Sequence, residues 1–387
     1  MSKWNFAYQY DLEDELWAKH ILQTDGDSIA VWLKVDISME SGLLQQLMQK
    51  QYWYISYRMC ESYESKNVVF QHERTLKAAP YSNHEILLKF KIPKPNTNTA
   101  YLFIKYYTNE NDDEYIHDAA IKIFEKHNYG DIMLLNHKNK YPYFERYVNV
   151  NDTLHIHSNN STSIGIKYIK YTFNIAYPPQ LINSNDENEL SLEPDSTASV
   201  DNEDEIYFHK KGTYIYCSTN DNCHKKVISV TGKYPKLTRL KDVADPIIYI
   251  ATDEERKAVK ASTSPKKKLD DFWIDIGQDK ELARRMIRNY YRKVEQANKL
   301  FTSYKEGWKT DQGMVYIIFG MPDKVKRTDM KETWEYYKKP NIPALRFDFM
   351  ARLNTHGDYY WELNRSKDYT DVWNGTVELW RKGIIEK

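Results

Sequence analysis

The sequence is poor in glycine, cysteine and long apolar stretches, and neither sign of charge predominates. Lys and Arg together number 55, as do Asp and Glu, so the formal net charge of the 387 residues is zero. No overall positive field therefore exists to attract nucleic acid or an anionic membrane. The longest strongly apolar run, residues 314–319, is far shorter than the roughly 20 residues that a membrane-spanning helix requires. We accordingly expect no nucleic-acid partner and no transmembrane segment.

The sequence motifs of common enzymes are absent as well. With only 13 glycines, the chain has little material for a phosphate-binding loop, and it contains no G-x-S-x-G elbow, Walker loop, dinucleotide fingerprint, H-E-x-x-H or paired C-x-x-C. His155 and His157 stand two apart on a predicted strand, so they share a face and can supply half of a metal site. Without a third ligand in view, the sequence predicts no metal and no cofactor, and any catalytic residues remain unknown.

Three cysteines leave two interpretations open. Cys217 and Cys223 flank a turn-rich stretch between two strand-like runs, so they can face each other across a hairpin within disulfide reach. A disulfide would suit an oxidising compartment; the alternative is two unpaired thiols near a loop. Cys60 ends an apolar strand and is expected to pack as a small hydrophobe.

What the chain has in abundance is aromatic residues, with 32 tyrosines and 10 tryptophans, which favour half-buried strands and contact surfaces. Period-two alternation indicates a first β-sandwich module over residues 1–125, which resembles an immunoglobulin-like (Ig-like) sandwich. Its predicted strands are 28–37, 52–60, 68–76, 84–92, 101–107 and 114–124. Residues 130–235 predict a second sandwich module, interrupted by an acidic segment over 183–205 that we expect to be a mobile loop.

From residue 241 onwards the hydrophobic period changes to about 3.6, which predicts helices. Thr252 is a predicted helix cap, and a long helix with one apolar stripe is predicted to begin near Asp279. Three later runs, at 333–337, 345–350 and 359–363, alternate polar with apolar residues and predict a small antiparallel sheet. The fold class is therefore multi-domain and mainly β: two Ig-like antiparallel sandwiches followed by an α+β domain over 241–387.

A motif within this last domain resembles a known family. The pentapeptide Gly307-Trp308-Lys309-Thr310-Asp311 is followed by an apolar run and a Gly-x-Pro-Asp turn. The residues that carry the resemblance are Gly307, Trp308, Thr310, Asp311, Gly313, Gly320, Pro322 and Asp323, with Phe272 and Trp273 upstream. In this order they resemble the GWxTD domain family of bacterial envelope-associated proteins found in Bacteroidota and related phyla. The resemblance implies a β-rich N-terminal region and a secretion or lipoprotein signal, and it implies no biochemical activity.

The residues of the motif suggest a structural role. Gly307 is expected to end the long helix in a left-handed conformation, Trp308 to anchor the next loop, and Thr310 and Asp311 to accept backbone N–H groups. Residues 314–319, apolar on both faces, are expected to form a buried strand. The alternative is that Asp311, Asp323 and Glu335 gather as a catalytic or metal-binding cluster, together with His356.

Three functions follow as hypotheses. The first is a non-enzymatic cell-envelope protein that acts as a scaffold or interaction module in an outer-membrane or secretion-related assembly, with protein partners. The second is a carboxylate-based hydrolase centred on the motif, and the third is a carbohydrate-binding sandwich. The first places the protein in the periplasm or at the outer membrane, with a signal sequence, and any lipid anchor it carries, removed from the N-terminus; the alternative is a cytoplasmic protein without such a signal.

Overall fold

The computed structural model describes residues 4–64, 66–107, 115–122, 130–138, 140–170, 173–181, 193–219, 222–338, 340, 343–353 and 359–384. Its antiparallel sheets confirm the predicted fold class, which is mainly β with a helical region near the C-terminus. Among these residues, every helix is too short or too polar to cross a bilayer.

The first module is a sandwich of two four-stranded antiparallel sheets. The strands are β1 (Leu16–Asp25), β2 (Ser28–Ile37), β3 (Tyr52–Cys60), β4 (Val68–Lys77), β5 (Ala79–Pro80), β6 (Glu85–Pro93), β7 (Thr99–Tyr107) and β8 (Tyr115–Lys122), with helix α1 (Leu44–Gln49) between β2 and β3. One sheet has the order β1-β2-β6-β5 and the other β4-β3-β7-β8. Alternate residues of β3, such as Trp53 and Ile55, are fully buried between the sheets. Strand β1 is an addition to the predicted set.

The second module packs a five-stranded sheet on a three-stranded one. Its strands are β9 (Ile132–Asn136), β10 (Tyr147–Asn149), β11 (Thr153–Ser158), β12 (Ser163–Lys170), β13 (Ser196–Asp201), β14 (Glu205–Tyr207), β15 (Gly212–Thr219) and β16 (Asn222–Val230). The orders are β10-β16-β15-β12-β13 and β14-β11-β9, and among the strands described here only β10 and β16 pair in parallel. A disulfide joins Cys217 to Cys223, which are direct partners across β15 and β16.

Part of the predicted acidic loop is ordered. Residues 196–201 form β13, an exposed edge strand that pairs with β12 over six residues, so the loop prediction is wrong there. The backbone of β13 gains ladder hydrogen bonds along β12 although none of its side chains is buried, and composition alone does not reveal such pairing. Residues 183–192 of the predicted loop lie outside the described residues.

The C-terminal region combines helices with a four-stranded antiparallel sheet of order β17-β18-β19-β20. Its elements are α2 (Leu240–Ala244), α3 (Asp253–Ala261), α4 (Pro265–Gly277), α5 (Lys280–Phe301), α6 (Asp311–Phe319), β17 (Lys324–Arg327), β18 (Lys331–Tyr336), β19 (Leu345–Leu353), β20 (Tyr359–Leu363) and α7 (Thr370–Arg381). Thr252 caps α3 in a capping box with Glu255, and the Asp279 carboxylate caps α5. Both helix starts are as predicted, because capping depends on local sequence.

The beginning of the chain packs into this C-terminal core. Phe6 and Tyr10 are buried there among residues of α5, α6 and the last sheet. The backbone N–H of Phe6 donates to the carbonyl of Val325 in β17 at 2.9 Å. Cys60, at the end of β3, is a buried free thiol in the same cluster. The first and last modules therefore share a continuous interior.

Candidate functional site

The Gly307–Asp311 motif joins helix α5 to helix α6, whereas the sequence predicts that it joins a helix to a strand. Gly307 and the two residues after it form one turn of 3-10 helix, and Thr310 is the N-cap of α6. Residues 314–319, predicted as a strand, belong to α6, and all of them are buried. A segment that is apolar on every side fits a fully enclosed helix as well as an enclosed strand, so periodicity cannot separate the two.

Gly307 is required by close packing and not by a left-handed backbone, contrary to the prediction. A Cβ atom at this position would lie 2.1 Å from the carbonyl oxygen of Ala297 in α5. A second close approach occurs at Gly313, where a Cβ would lie 1.9 Å from the carbonyl oxygen of Gly307. Both glycines therefore allow α6 and the motif turn to sit directly against α5.

Hydrogen bonds tie each part of the motif turn to its surroundings. The N–H of Trp308 donates to Asn298 Oδ1 at 3.0 Å, and its carbonyl accepts from the Tyr249 hydroxyl at 2.9 Å. The Thr310 hydroxyl donates to the carbonyl of Gly307 at 2.7 Å and accepts from the N–H of Gly313 at 3.0 Å. The Trp308 ring itself is buried. Backbone and side chains of the turn are thus engaged within the fold.

Asp311 binds the final sheet. Its carboxylate accepts the N–H of Leu363 at 2.8 Å and forms an ion pair with the guanidinium of Arg365, with contacts of 2.7 and 3.1 Å. Both side chains are about nine-tenths buried. Because a buried carboxylate needs a compensating partner, this pair fastens the start of α6 to the end of β20.

The other carboxylates of the alternative cluster are used separately. Asp323 accepts the N–H of Tyr337 at 2.7 Å, and Glu335 pairs with Lys326 at 2.5 Å. Within the described part of the chain, the groups of three side chains arranged to hold a metal ion do not include Asp311, Asp323 or Glu335. His356 lies outside the described residues. The cluster that the hydrolase hypothesis requires is therefore not formed by these three acids.

The remaining predicted residues are structural neighbours of the motif. Phe272 and Trp273 are buried on α4, where Trp273 packs against Tyr290 of α5 with ring centroids 5.6 Å apart. Gly320, at φ +80°, ends α6, and its carbonyl accepts from the Tyr336 hydroxyl at 2.9 Å. Pro322 is buried in the turn that follows.

A buried charge network, which sequence reasoning missed, lies beside the motif. Arg327 of β17 donates through Nε to Glu332 at 2.6 Å, and its terminal nitrogens contact Asp118 of β8 at 3.3 Å and the Tyr10 hydroxyl at 3.1 Å. All four residues are buried. In the sequence, the only signal of this network is Arg327 at an alternating position of a short strand. Its partners Asp118 and Tyr10 are more than 200 residues away along the chain.

Neutral donors complete the network around its two carboxylates. Glu332 also accepts from Gln312 of α6 at 3.0 Å and from the indole of Trp334 at 2.6 Å, while Tyr8 and Tyr63 donate to Asp118 at 2.9 and 3.1 Å. Burial and the neighbouring Glu332 charge raise the pKa of Tyr10, so this hydroxyl remains a donor. The network connects the chain start, the first sandwich and the C-terminal sheet.

A histidine pair adjoins the network between β1 and β8. His20 Nδ1 lies 2.8 Å from His117 Nε2, so one ring donates to the other. Burial, aided by the charge of Arg146, lowers the pKa of His20 to about 4, and burial lowers the pKa of His117 as well. A cavity of about 180 Å³ is lined in part by His117, and it is smaller than the roughly 300 Å³ at which small-molecule pockets begin.

The two histidines of the predicted half-site on β11 contact different residues. His157 contacts Glu203 and Asn159, whereas the Nε2 of His155 faces Glu205 at 3.5 Å. The exposed tyrosines are Tyr52 in the first module, Tyr177 and Tyr207 within the bounds of the second, and Tyr337 in the C-terminal region. Among the described residues, no module thus carries more than two exposed tyrosines, which is too few for the row that the carbohydrate-binding hypothesis requires.

The family model described as the GWxTD domain matches residues 212–382. No curated protein matches the chain in sequence. Solved structures that resemble it include the BSP domain of a biofilm associated protein, at 11% identity and a TM-score of 0.24, covering 57% of this chain and 30% of that one. Another is the N-terminal Ig1-2 module of the Drosophila receptor protein tyrosine phosphatase DLAR, at 12% identity and a TM-score of 0.18, covering 56% of this chain and 98% of that one. The chain thus spans less than a third of the first of these structures.

Proposed function

Because residues 212–382 belong to the GWxTD domain family, we propose that this chain is a non-enzymatic scaffold or interaction module of the cell envelope. It acts in an outer-membrane or secretion-related assembly, where the two sandwiches and the C-terminal domain hold binding surfaces at a fixed spacing. Its partners are other envelope proteins.

The buried network of Arg327, Asp118, Glu332 and Tyr10 is the observation that carries this proposal. It joins three parts of the chain that are remote in sequence, and their charged groups form ion pairs and hydrogen bonds inside the protein. The motif acid Asp311 is likewise paired with Arg365. A scaffold needs modules that keep their mutual positions. Charged groups that pair with one another inside the protein fix the positions of the modules and are not placed to act on a substrate.

The Cys217–Cys223 disulfide supports an envelope location, since disulfides persist in oxidising compartments such as the bacterial periplasm. Whole producing cells can be quenched with acid and alkylated under denaturing conditions before and after reduction. We expect Cys60, a free thiol, to be alkylated at once and the other two only after reduction. Alkylation of all three thiols without reductant would favour the cytoplasmic alternative.

Partner binding is tested by crosslinking in the producing organism, followed by purification of the tagged full chain and mass spectrometry. An unrelated exported protein that carries the same tag serves as the control. We expect a small set of envelope proteins to be enriched with this chain only, and tagging one of them should recover this chain in return. Failure of that reciprocal recovery, with the chain purified as an uncrosslinked monomer, would contradict the scaffold function.

A further inference from the structure

Three potential metal ligands converge on the three-stranded sheet of the second module. Strand β11 lies in the centre of this sheet, and its His155 pairs with Glu205 of β14 on one side and with Leu135 of β9 on the other. His137 follows Leu135 by two residues, so it is directed to the same face. Leu154 and Ile156 are directed into the sandwich core, which places the two histidines and the glutamate on the opposite face.

The spacing of the ligand atoms matches that around a metal ion. Glu205 Oε1 lies 3.2 Å from His137 Nδ1 and 3.5 Å from His155 Nε2. Two ligands on a tetrahedral Zn²⁺ with bonds of about 2.0–2.1 Å lie about 3.3–3.4 Å apart. The three ligand atoms all fall within 4.8 Å of one another. The sheet therefore holds the donors at nearly the separation that coordination requires.

We propose that His137, His155 and Glu205 bind a divalent transition-metal ion of the Zn²⁺ class. Two imidazoles and one carboxylate are a donor set suited to Zn²⁺, Fe²⁺ or Ni²⁺ and poorly suited to Ca²⁺, which prefers oxygen ligands. The bound ion ties together β9, β11 and β14, of which β14 is a three-residue edge strand. This inference is independent of the scaffold function.

Exposure of the ligands permits the ion to enter. His155 is buried and fixes one ligand position, whereas the side chains of His137 and Glu205 are each 53% exposed. The two imidazole rings are stacked within 5° of parallel, so the exposed His137 ring turns about its Cβ–Cγ bond to direct its nitrogen at the ion. That rotation moves a solvent-facing side chain and leaves the core unchanged.

A second group of three donors, Asp36, His84 and Glu85, is a weaker candidate. Glu85 forms an ion pair with the ammonium of Lys34, which is itself nearly buried. A cation therefore already neutralises that carboxylate, and a metal ion would have to displace it. We therefore use its histidine as a control for the specificity of metal binding at the first group.

The test uses the full chain, purified without a histidine tag, stripped with EDTA and then dialysed. Titration with Zn²⁺ in a calorimeter is expected to give one equivalent, and Co²⁺ is expected to produce the visible absorption of a site with nitrogen and oxygen ligands. Replacing either imidazole, as His137→Ala or His155→Ala, should weaken binding by at least about tenfold, which is the lower end of what the loss of even an outer contact to a metal site costs. Glu205→Gln should weaken it too.

Two matched variants make the outcome specific. His157→Ala removes the next outward histidine of the same strand, and His84→Ala removes the histidine of the second group; both should bind Zn²⁺ as the parent chain does. His137 is half exposed, so its removal should leave the fold intact, as circular dichroism will check. Absence of stoichiometric binding, or equal binding by the parent and His137→Ala chains, would overturn the proposal.

Discussion

At the scale of single residues, the motif depends on close packing at Gly307. We expect Gly307→Ala to lower the free energy of unfolding by about 2–3 kcal/mol, in the range of overpacked cores, because the new methyl group would overlap the carbonyl oxygen of Ala297. Gly375→Ala is the matched control: it lies in α7 with open space around it, so it should gain about 0.5–1 kcal/mol through helix propensity. Urea unfolding measures both values. Equal effects at the two glycines would refute the packing argument.

The two motif carboxylates offer a second comparison at this scale. Asp311→Asn leaves the buried guanidinium of Arg365 without its counter-charge and should cost about 3 kcal/mol. Asp323→Asn keeps an acceptor for the Tyr337 N–H on a half-buried side chain and should cost less than about 1 kcal/mol. Chemical denaturation of the two variants measures this difference. If Asp323→Asn proved the more damaging, Asp311 would not be the acid that fastens α6 to β20.

At the scale of elements, the sequence predicts what depends on local pattern and fails where two structures share a pattern. The period-two strands β2 and β3 have the bounds that alternation predicts, and Thr252 begins α3 as its capping signature indicates. Residues 314–319 of helix α6 are wrongly predicted as a strand, because a short run that is buried on all sides carries no period. The partners of Arg327 and of His155 could not be predicted, since they come from strands whose pairing depends on the whole fold.

The contact between β1 and β8 should make stability depend on pH. His20 and His117 are held neutral by burial, with pKa values below the usual 6.5. The unfolded chain therefore binds more protons below pH 6.5, and stability falls as the pH drops from about 6.5 towards 4. The expected slope is up to about 1.4 kcal/mol per pH unit for each imidazole.

Urea unfolding between pH 7.5 and 5 measures this slope. A His20→Gln variant should show a shallower dependence, because one of the two proton-binding differences is gone. His72→Gln on β4 alters an exposed histidine and should retain the full slope. A parent chain whose stability does not change over this range would bind equal numbers of protons folded and unfolded, which would contradict the expected effect of the buried pair.

At the scale of the whole molecule, we expect Arg327 to determine whether the modules unfold together. Arg327→Ala would leave Asp118 and Glu332 buried without a counter-charge, and we expect a loss of about 3–5 kcal/mol. Adding Asp118→Asn should recover part of the lost free energy of unfolding. The substitution removes one uncompensated charge and keeps an oxygen that accepts hydrogen bonds from the neighbouring hydroxyls. The measurement is denaturant unfolding followed by two probes, tryptophan fluorescence and far-ultraviolet circular dichroism.

The parent chain should give coincident transitions with the two probes, because the network couples the first sandwich to the C-terminal sheet. In Arg327→Ala the transitions should separate as the modules lose that coupling. Lys326→Ala is the matched control, for it removes the neighbouring cation of β17, whose partner Glu335 is only partly buried; it should cost less than about 1 kcal/mol and keep the transitions together. Coincident transitions in Arg327→Ala would mean that apolar contacts around Phe6 and Tyr10 suffice to hold the modules, and the network would then contribute stability without setting their arrangement.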